Sequence, residues 1–316
     1  MSSLSELNKT PSRYTGPKFD SHIHLRHLKD ARRIINISQS FNIEKMLVII
    51  WEEEKTNIEK HFPENFVFAK YFHRDALFKY AQKDFLAELD DLYARGYKII
   101  KFWFGPRRVT SWQKKLRVDA RSLRINEPHL EPFFSHLEDL GLVALFHISD
   151  PDLWYKLKYQ PPSIYGTKDE HLQEFETFIA KHSNLKIIGA HFGGQPEHLD
   201  KLGEWFSKYP NFSVDLGSAR WMVREFAEQP NQAAKFIQRF QNRILFGTDI
   251  NAVYTYKNRY FSDRYLSYKI LLETNKSCPL PFPDPENNNQ TMIVGLNLPL
   301  SVLKNIYWIN ILKIIM

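Results

Sequence analysis

Lys18-Phe19-Asp20-Ser21-His22-Ile23-His24 is the first of eight short, mainly apolar runs that predict the fold of this 316-residue chain. The other runs cover residues 45–51, 66–72, 98–104, 142–148, 186–191, 212–216 and 244–249. Such nearly continuous apolar runs are typical of parallel strands, which are buried on both faces. Helical patterns over residues 84–95, 128–140, 170–182 and 231–241 lie between runs, and Gly96 and Gly141 follow the first two.

The repeated alternation of strand and helix predicts one α/β domain, a TIM (β/α)8 barrel over residues 17–316, after a polar lead-in at residues 1–16. A doubly wound open sheet is the alternative, but no G-x-G-x-x-G motif follows the first run. In a barrel the carboxyl ends of the strands meet at one mouth, where catalytic residues lie. His24, His147, His191 and Asp249 each lie where an apolar run ends, so they are candidates for one site.

The His-x-His spacing of His22 and His24 places both imidazoles on one face of the first strand. Two imidazoles on one face can bind one metal ion, with Zn–N distances of about 2.0–2.1 Å. Together with the polar residues at the other strand ends, this spacing predicts a metal site and metal-assisted chemistry.

Composition excludes several other classes of function. The formal charge of +7 comes from 43 basic and 36 acidic residues that are dispersed along the chain, and a nucleic-acid partner would prefer a clustered basic patch. Cys278 is the single cysteine, which excludes an intrachain disulfide and a zinc site built from several thiolates. The N-terminus is polar and no apolar run reaches the roughly 18 residues of a membrane span, so we expect a cytoplasmic protein.

Five segments of the chain together resemble the amidohydrolase superfamily, and within it the amidohydrolase-2 branch. They are residues 19–24, residues 145–147, the stretch Gly189-Ala190-His191-Phe192-Gly193-Gly194, the stretch Ile244-Leu245-Phe246-Gly247-Thr248-Asp249, and a closing segment at residues 295–310. That branch includes aminocarboxymuconate semialdehyde decarboxylase and resorcylate decarboxylases beside predicted metal-dependent hydrolases. The resemblance extends over residues 18–312, and the ordered set of motifs is far more specific than His-x-His alone.

The resemblance implies a role for each matching residue. His22, His24 and His147 would be the imidazole ligands of a divalent metal ion, and Asp249 would bind the same ion and handle the proton of its bound water. His191 would be a nearby general acid/base or would orient the substrate. Zinc is the expected ion, while manganese, iron and cobalt suit the same nitrogen and oxygen ligands.

Several further residues are candidates for contact with the substrate. Binuclear members of the superfamily carry a carbamylated lysine on the fourth strand, so Lys101 would either bridge two metals, bind a substrate carboxylate or form a structural ion pair. His73 follows the third run and is a candidate to line the pocket. Arg107 is a candidate for anion recognition, and Arg220 would either contact substrate or form an ion pair.

The predicted activity is hydrolysis of a C–N or C–O bond of a small substrate by a metal-activated water. The alternative is metal-dependent, non-oxidative decarboxylation of an aromatic or unsaturated acid, and a third hypothesis is a barrel that binds a ligand without catalysis. A homodimer is the expected assembly, and residues 251–290 are interpreted as a long loop over the mouth. Histidines in helical or loop stretches, such as His171 and His182, are interpreted as surface residues.

Overall fold

The computed structural model describes residues 6, 10–50, 54–72, 82–110, 124–252 and 256–316. The chain forms two compact units. The first consists of Met1–Phe68 and Asp215–Ile314 with Met316, and the second of Ala69–Val214 with Ile315. The division into a lead-in at residues 1–16 and a barrel domain at 17–316 stays a prediction.

All eight predicted strands are present, with ends that differ from the predicted ones by a few residues. In chain order the strands are β1 (Lys18–Leu25), β2 (Ile43–Ile50), β3 (Phe66–Tyr71), β4 (Ile99–Trp103), β5 (Val143–His147), β6 (Ile187–Gly189), β7 (Phe212–Asp215), β8 (Ile244–Leu245), β9 (Ile250–Ala252), β10 (Ser277–Pro279) and β11 (Met292–Val294). β9, β10 and β11 were not predicted, because the eighth run was expected to end at Asp249 and no further strand was expected after it.

Helices connect these strands, and the four predicted helices are confirmed. In chain order they are α1 (Leu28–Ser38), α2 (Lys55–His61), α3 (Gln82–Ala94), α4 (Glu131–Asp139), α5 (Asp152–Leu157), α6 (Pro162–Tyr165), α7 (Lys168–Lys181), α8 (Leu199–Lys208), α9 (Ala219–Glu228), α10 (Pro230–Arg239), α11 (Asn258–Glu273), α12 (Leu300–Lys304) and α13 (Asn310–Ile315). A π-helical turn, Asn305–Ile309, joins α12 to α13. Among the described residues, every helix is too short or too polar to cross a lipid bilayer.

In the first unit, β1 is flanked by two parallel neighbours, β2 along one edge and β9 along the other. The ladder with β9 places His24 opposite Asn251. Just before β9, the backbone N–H of Ser21 donates to the carbonyl of Phe246 at 2.8 Å, and that of Asp249 donates to the carbonyl of His22 at 2.8 Å. The segment from β8 to β9 therefore runs beside β1 and brings its polar residues next to the His-x-His motif.

A buried ion pair fixes the start of β1. Lys18 Nζ lies 2.6 Å from Glu273 Oε1, and both side chains are at most 4% exposed. The other oxygen of Glu273 accepts hydrogen bonds from Ser12 Oγ at 2.5 Å and from the backbone N–H of Arg13 at 2.8 Å. Burial alone would raise the pKa of Glu273, but the ammonium of Lys18 holds it below its ordinary value.

In the second unit, β3 to β7 pair in parallel in sequence order. Helices of this unit cover the strands with phenylalanines. Phe102 of β4 stacks on Phe146 of β5 with ring centroids 4.9 Å apart, and Phe134 of α4 meets Phe178 of α7 at 4.8 Å. These rings form a continuous apolar layer between strand and helix.

Two interpretations from the sequence were wrong. Residues 251–290 are not one long loop, because α11 occupies residues 258–273 and is buried continuously from Tyr265 to Glu273. His171 and His182 are not surface residues, since their exposed fractions are 5% and 4%. His171 lies on the buried face of α7, and His182 is the residue directly after this helix. Together with Phe175 and Phe178 they recur at helical spacing, so all four face the core.

Candidate functional site

His22 is the fully buried member of the His-x-His pair. It lies in β1, and its Nδ1 is 2.7 Å from Asp215 Oδ2 at the end of β7. The second oxygen of Asp215 accepts the backbone N–H of Gly217 at 2.8 Å. Because a carboxylate only accepts hydrogen bonds, Nδ1 is the donor to Asp215, and a neutral ring with this hydrogen would have its lone pair on Nε2.

Asp249 faces both histidines of the motif. Its Oδ1 lies 3.4 Å from His22 Nε2 and 3.2 Å from His24 Nε2. The side chains of His24 and Asp249 are 33% and 28% exposed, so the open side of this trio faces solvent while His22 closes its buried side. Asp249 has a left-handed φ of 56° between β8 and β9, which turns its side chain back toward β1.

These distances fit a shared cation. Two atoms bound to one ion at about 2.0–2.1 Å with tetrahedral angles lie about 3.3–3.4 Å apart. The ligand atoms of His22, His24 and Asp249 all lie within 4.8 Å of one another. A lone pair on His22 Nε2 and a carboxylate oxygen repel each other unless a positive charge lies between them. Two imidazoles and one carboxylate are a donor set that zinc and manganese both accept.

Asp20 connects β1, which carries both histidines, to the segment before β9, which carries Asp249. Its Oδ1 accepts the backbone N–H groups of Thr248 at 3.0 Å and of His22 at 3.2 Å, and its Oδ2 accepts Thr248 Oγ1 at 2.6 Å. Burial raises the pKa of Asp20 to about 7, against the opposing hydrogen bonds from Thr248 and His22. Asp20 thus joins the backbone before Asp249 to the backbone of His22.

Gly247 leaves room for this close approach, which a side chain at this position would crowd. A Cβ at this position would lie 3.0 Å from the Cβ of His22 and 3.2 Å from Ser21 Oγ. Any larger residue would push the segment that carries Asp249 away from β1.

The second unit contains a separate chain of polar contacts at the end of β5. His147 Nε2 lies 2.9 Å from Asp150 Oδ1, and Asp150 Oδ2 accepts Tyr159 Oη–H at 2.6 Å. The other ring nitrogen, His147 Nδ1, is 3.1 Å from His191 Nε2. Burial alone would raise the pKa of Asp150, but the charge and hydrogen bond of His147 and the hydrogen bond of Tyr159 hold it low.

His191 occupies a left-handed turn directly after β6. His191, Phe192, Gly193 and Gly194 all have positive φ, of 57°, 58°, 64° and 71°. A Cβ on Gly194 would lie 2.6 Å from the Cβ of Ser149, so only glycine lets the turn pack against the loop after β5. The turn brings the imidazole of His191 back toward His147.

The remaining predicted residues differ in their surroundings. Lys101 is buried in β4, with an exposed fraction of 2%. Arg107 is exposed, whereas its neighbour Arg108 is buried. Arg220 lies 3.4 Å from Glu286 through its Nη1, so it forms an ion pair. His73 falls outside the described residues, and its predicted role stays a prediction.

The structure thus brings together His22, His24 and Asp249 in one unit, and His147 and His191 in the other. The sequence analysis missed Asp20 and Asp150, which position these histidines. A signal for Asp20 was present, because it precedes His22 by two residues and lies on the same face of β1. Asp150 follows the end of β5 by three residues, and no local pattern distinguishes it from an ordinary loop aspartate.

Comparisons with known proteins give both a family and a fold. The amidohydrolase family model matches residues 81–313, a range that contains His147, His191 and Asp249 but lies beyond His22 and His24. No curated protein matches the chain.

Among solved structures, 5-carboxyvanillate decarboxylase LigW from Sphingomonas paucimobilis is similar with a TM-score of 0.56 and 10% identity, over 95% of this chain and 98% of that chain. The 5-carboxyvanillate decarboxylase of Novosphingobium aromaticivorans, complexed with manganese and 4-hydroxy-3-methoxy-5-nitrobenzoic acid, gives a TM-score of 0.54 and 12% identity, over 97% of each chain. At such low identity the likeness shows the fold, and the predicted α/β TIM barrel is confirmed.

Proposed function

Because the chain belongs to the amidohydrolase family, we propose that it is a metal-dependent enzyme whose divalent ion is bound by His22, His24 and Asp249. The observation that carries this proposal is the pair of contacts at 3.2 and 3.4 Å between Asp249 Oδ1 and the two imidazole nitrogens. Zinc stays the prediction from the sequence, and manganese suits the same ligands. When bound, such an ion polarises a carboxylate or carbonyl oxygen and acidifies a bound water.

We keep the predicted roles of His147 as a further ligand and His191 as an acid/base or orienting residue. Support comes from the fold, since the carboxyl ends of barrel strands converge on one mouth. Asp150 engages His147 through Nε2, so Nδ1 is the nitrogen that the ring can offer to a ligand. His191 Nε2 lies next to that same nitrogen.

The reaction that we favour is non-oxidative decarboxylation of a small aromatic or unsaturated carboxylic acid. The bond between the carboxylate and the substrate carbon breaks, the electron pair stays on that carbon, and carbon dioxide leaves. The carbon then takes up a proton, which we assign to Asp249 in its protonated form, because this carboxyl is partly open to solvent and can be recharged from water. Two solved structures with this fold are named as decarboxylases, and one of them contains manganese and a substituted benzoic acid.

Hydrolysis of a C–N or C–O bond is the second candidate. Asp249 would then accept a proton from the attacking water and pass it to the leaving group. Lys101 is the residue that favours this candidate, since it is a buried lysine on β4, the strand on which the family resemblance predicts a carbamate bridge between two ions. Two metal ions per chain would support such a bridge, whereas one ion per chain would support the decarboxylase.

The test is metal content per chain together with activity, for the wild type, Asp249→Asn and the control Asp169→Asn. Asp169 is a 90%-exposed carboxylate on α7, so its replacement changes the charge equally without touching the trio. We expect Asp249→Asn to lose the metal and all turnover, while Asp169→Asn keeps both. Carbon dioxide release from a panel of aromatic acids identifies a decarboxylase, and turnover of lactones or amides without gas identifies a hydrolase. Full metal content in Asp249→Asn would refute the proposed ligand set.

A further inference from the structure

Arg264, on α11 of the unit that carries Asp249, lies in an aromatic stack. Its guanidinium carbon is 3.6 Å from the ring centroid of Tyr260 and 4.5 Å from that of Phe282. Tyr256 stacks on Tyr260 with centroids 4.1 Å apart and planes 8° from parallel. Two groups this close to one ring occupy its opposite faces, so Tyr256, Tyr260, Arg264 and Phe282 form a layered arrangement in which rings cover the guanidinium.

Among the described residues, the hydrogen bonds of the Arg264 guanidinium use one of its edges. Nη1 of Arg264 donates to the carbonyl of Tyr260 at 2.8 Å. Among the residues that the structure describes, no carboxylate forms an ion pair with Arg264, in contrast to Arg220, Arg224 and Arg259. The Nε and Nη2 hydrogens on the other edge are directed in the plane of the group, which is the approach that a carboxylate makes to an arginine fork.

Tyr260 ties this arginine to the trio of His22, His24 and Asp249. Its hydroxyl accepts the backbone N–H of Asn251 at 3.2 Å, and Asn251 is the residue opposite His24 in the ladder between β1 and β9. The negative charge of Asp249 also acts on Arg264, where it opposes the lowering of the arginine pKa by burial. Arg264 is therefore a cation on which the charge of Asp249 acts, and its stacking partner Tyr260 is hydrogen-bonded to the strand beside the trio.

We propose that the Nε and Nη2 edge of Arg264 binds a carboxylate of the substrate and makes the enzyme selective for anionic, planar acids. This rests on the proposed function, because it assigns a substrate class to the same site. The aromatic rings fix the plane of the guanidinium, which reduces the entropy that a bidentate contact costs. Arg220 and Arg107, the arginines expected from the sequence, are less suited: Arg220 is paired with Glu286, and Arg107 is exposed.

The experiment measures binding to metal-free protein by calorimetry, so that a carboxylate–metal bond does not contribute. The probes are benzoate and its uncharged analogue benzamide, and the variants are Arg264→Met and the control Arg259→Met. Arg259 is on the same helix, is 72% exposed and pairs with Asp263, so its loss removes an equal charge away from the stack. We expect Arg264→Met to weaken benzoate binding by about tenfold or more, because a hydrogen bond to a charged group is lost, and to leave benzamide unaffected.

Binding of manganese by the same variants separates this inference from the proposed function. Arg264→Met should bind manganese with the same affinity as the wild type. If the wild type itself does not bind manganese, the proposed function is contradicted. Equal benzoate affinity of wild type and Arg264→Met, or no preference of the wild type for benzoate over benzamide, would overturn the inference. If Arg264→Met does not fold, Arg264→Lys keeps the charge but lacks the fork, and it should still bind benzoate more weakly than the wild type.

Discussion

Asp215→Asn tests whether the nitrogen that His22 offers to a metal is set by its partner. The carboxylate of Asp215 accepts hydrogen bonds from His22 Nδ1 at 2.7 Å and from the N–H of Gly217 at 2.8 Å. Asparagine has one acceptor oxygen and one donor amide. In either orientation of the amide, one of the two N–H donors loses its acceptor and faces an N–H group instead.

The size of the effect follows from this loss. If the amide N–H₂ turns toward His22, the ring moves its hydrogen to Nε2 and loses the lone pair that faces Asp249. If the oxygen turns toward His22, a charged acceptor becomes neutral, and the buried N–H of Gly217 is left facing a donor. Hydrogen bonds to charged groups contribute about 1.5–3 kcal/mol, and loss of a carboxylate behind a histidine ligand costs about 10- to 100-fold in metal affinity.

The assay is competition between the protein and a chromogenic chelator for zinc and for manganese. It is carried out at a pH at which an aspartate side chain in water is ionised. We expect Asp215→Asn to release either metal at about 10- to 100-fold lower chelator concentration, with the fold retained by circular dichroism. Asp169→Asn, at an exposed site, is the control for the change in charge. A metal affinity of Asp215→Asn equal to that of the wild type would show that Asp215 does not position a ligand, and the tautomer argument would be wrong.

Two other predictions concern the second unit. Gly194→Ala should lower the free energy of unfolding by about 1–3 kcal/mol, because φ at this position is positive and the new Cβ would lie 2.6 Å from the Cβ of Ser149. Gly96→Ala is the control, since Gly96 has a similar φ but open space around it, and it should lower the free energy of unfolding less when both variants are unfolded in urea. Equal losses in the two variants would contradict the steric explanation. Burial, helped by the charge of Arg108, lowers the pKa of His171 from 6.5 to about 4, so between these pH values the unfolded chain binds a proton that the folded chain does not. The free energy of unfolding therefore decreases as the pH falls through this window, and in His171→Gln this decrease should be about 3 kcal/mol smaller than in the wild type. If the free energies of unfolding of the two proteins change in parallel with pH, His171 is not the cause.

The fold was predictable because its signals are local. The strands within these runs are mostly buried, so an apolar run predicts a strand without knowledge of its neighbours, and polar residues at the ends of runs mark where strands leave the core. The His-x-His spacing of His22 and His24 needed only the alternation of side chains along β1. Asp249 was predictable for a similar reason, since it is the residue at which the eighth run ends.

Arg264 was not predictable by the same means. It lies in residues 251–290, whose aromatic and proline content resembles a loop, yet residues 258–273 form α11. Nine consecutive residues of that helix, Tyr265–Glu273, are buried, so the stretch has no polar face and lacks the periodicity by which an amphipathic helix is recognised. Arg264 contacts the ring of Tyr260, one helical turn earlier, and the ring of Phe282, which lies beyond the helix. This combination of partners leaves no recognisable spacing pattern in the sequence.

The carboxylates behind the histidines show most clearly where sequence reasoning stops. His22 and Asp215 are 193 residues apart in the sequence, and only the folded chain brings their side chains into contact. His147 and Asp150 are three residues apart, but the loop between them is irregular, so spacing alone does not predict their contact. The two pairs have opposite geometry: Asp215 takes Nδ1 of its histidine and Asp150 takes Nε2. Residue type therefore predicts that a histidine can bind a metal, while the tertiary position of its carboxylate determines which nitrogen does so.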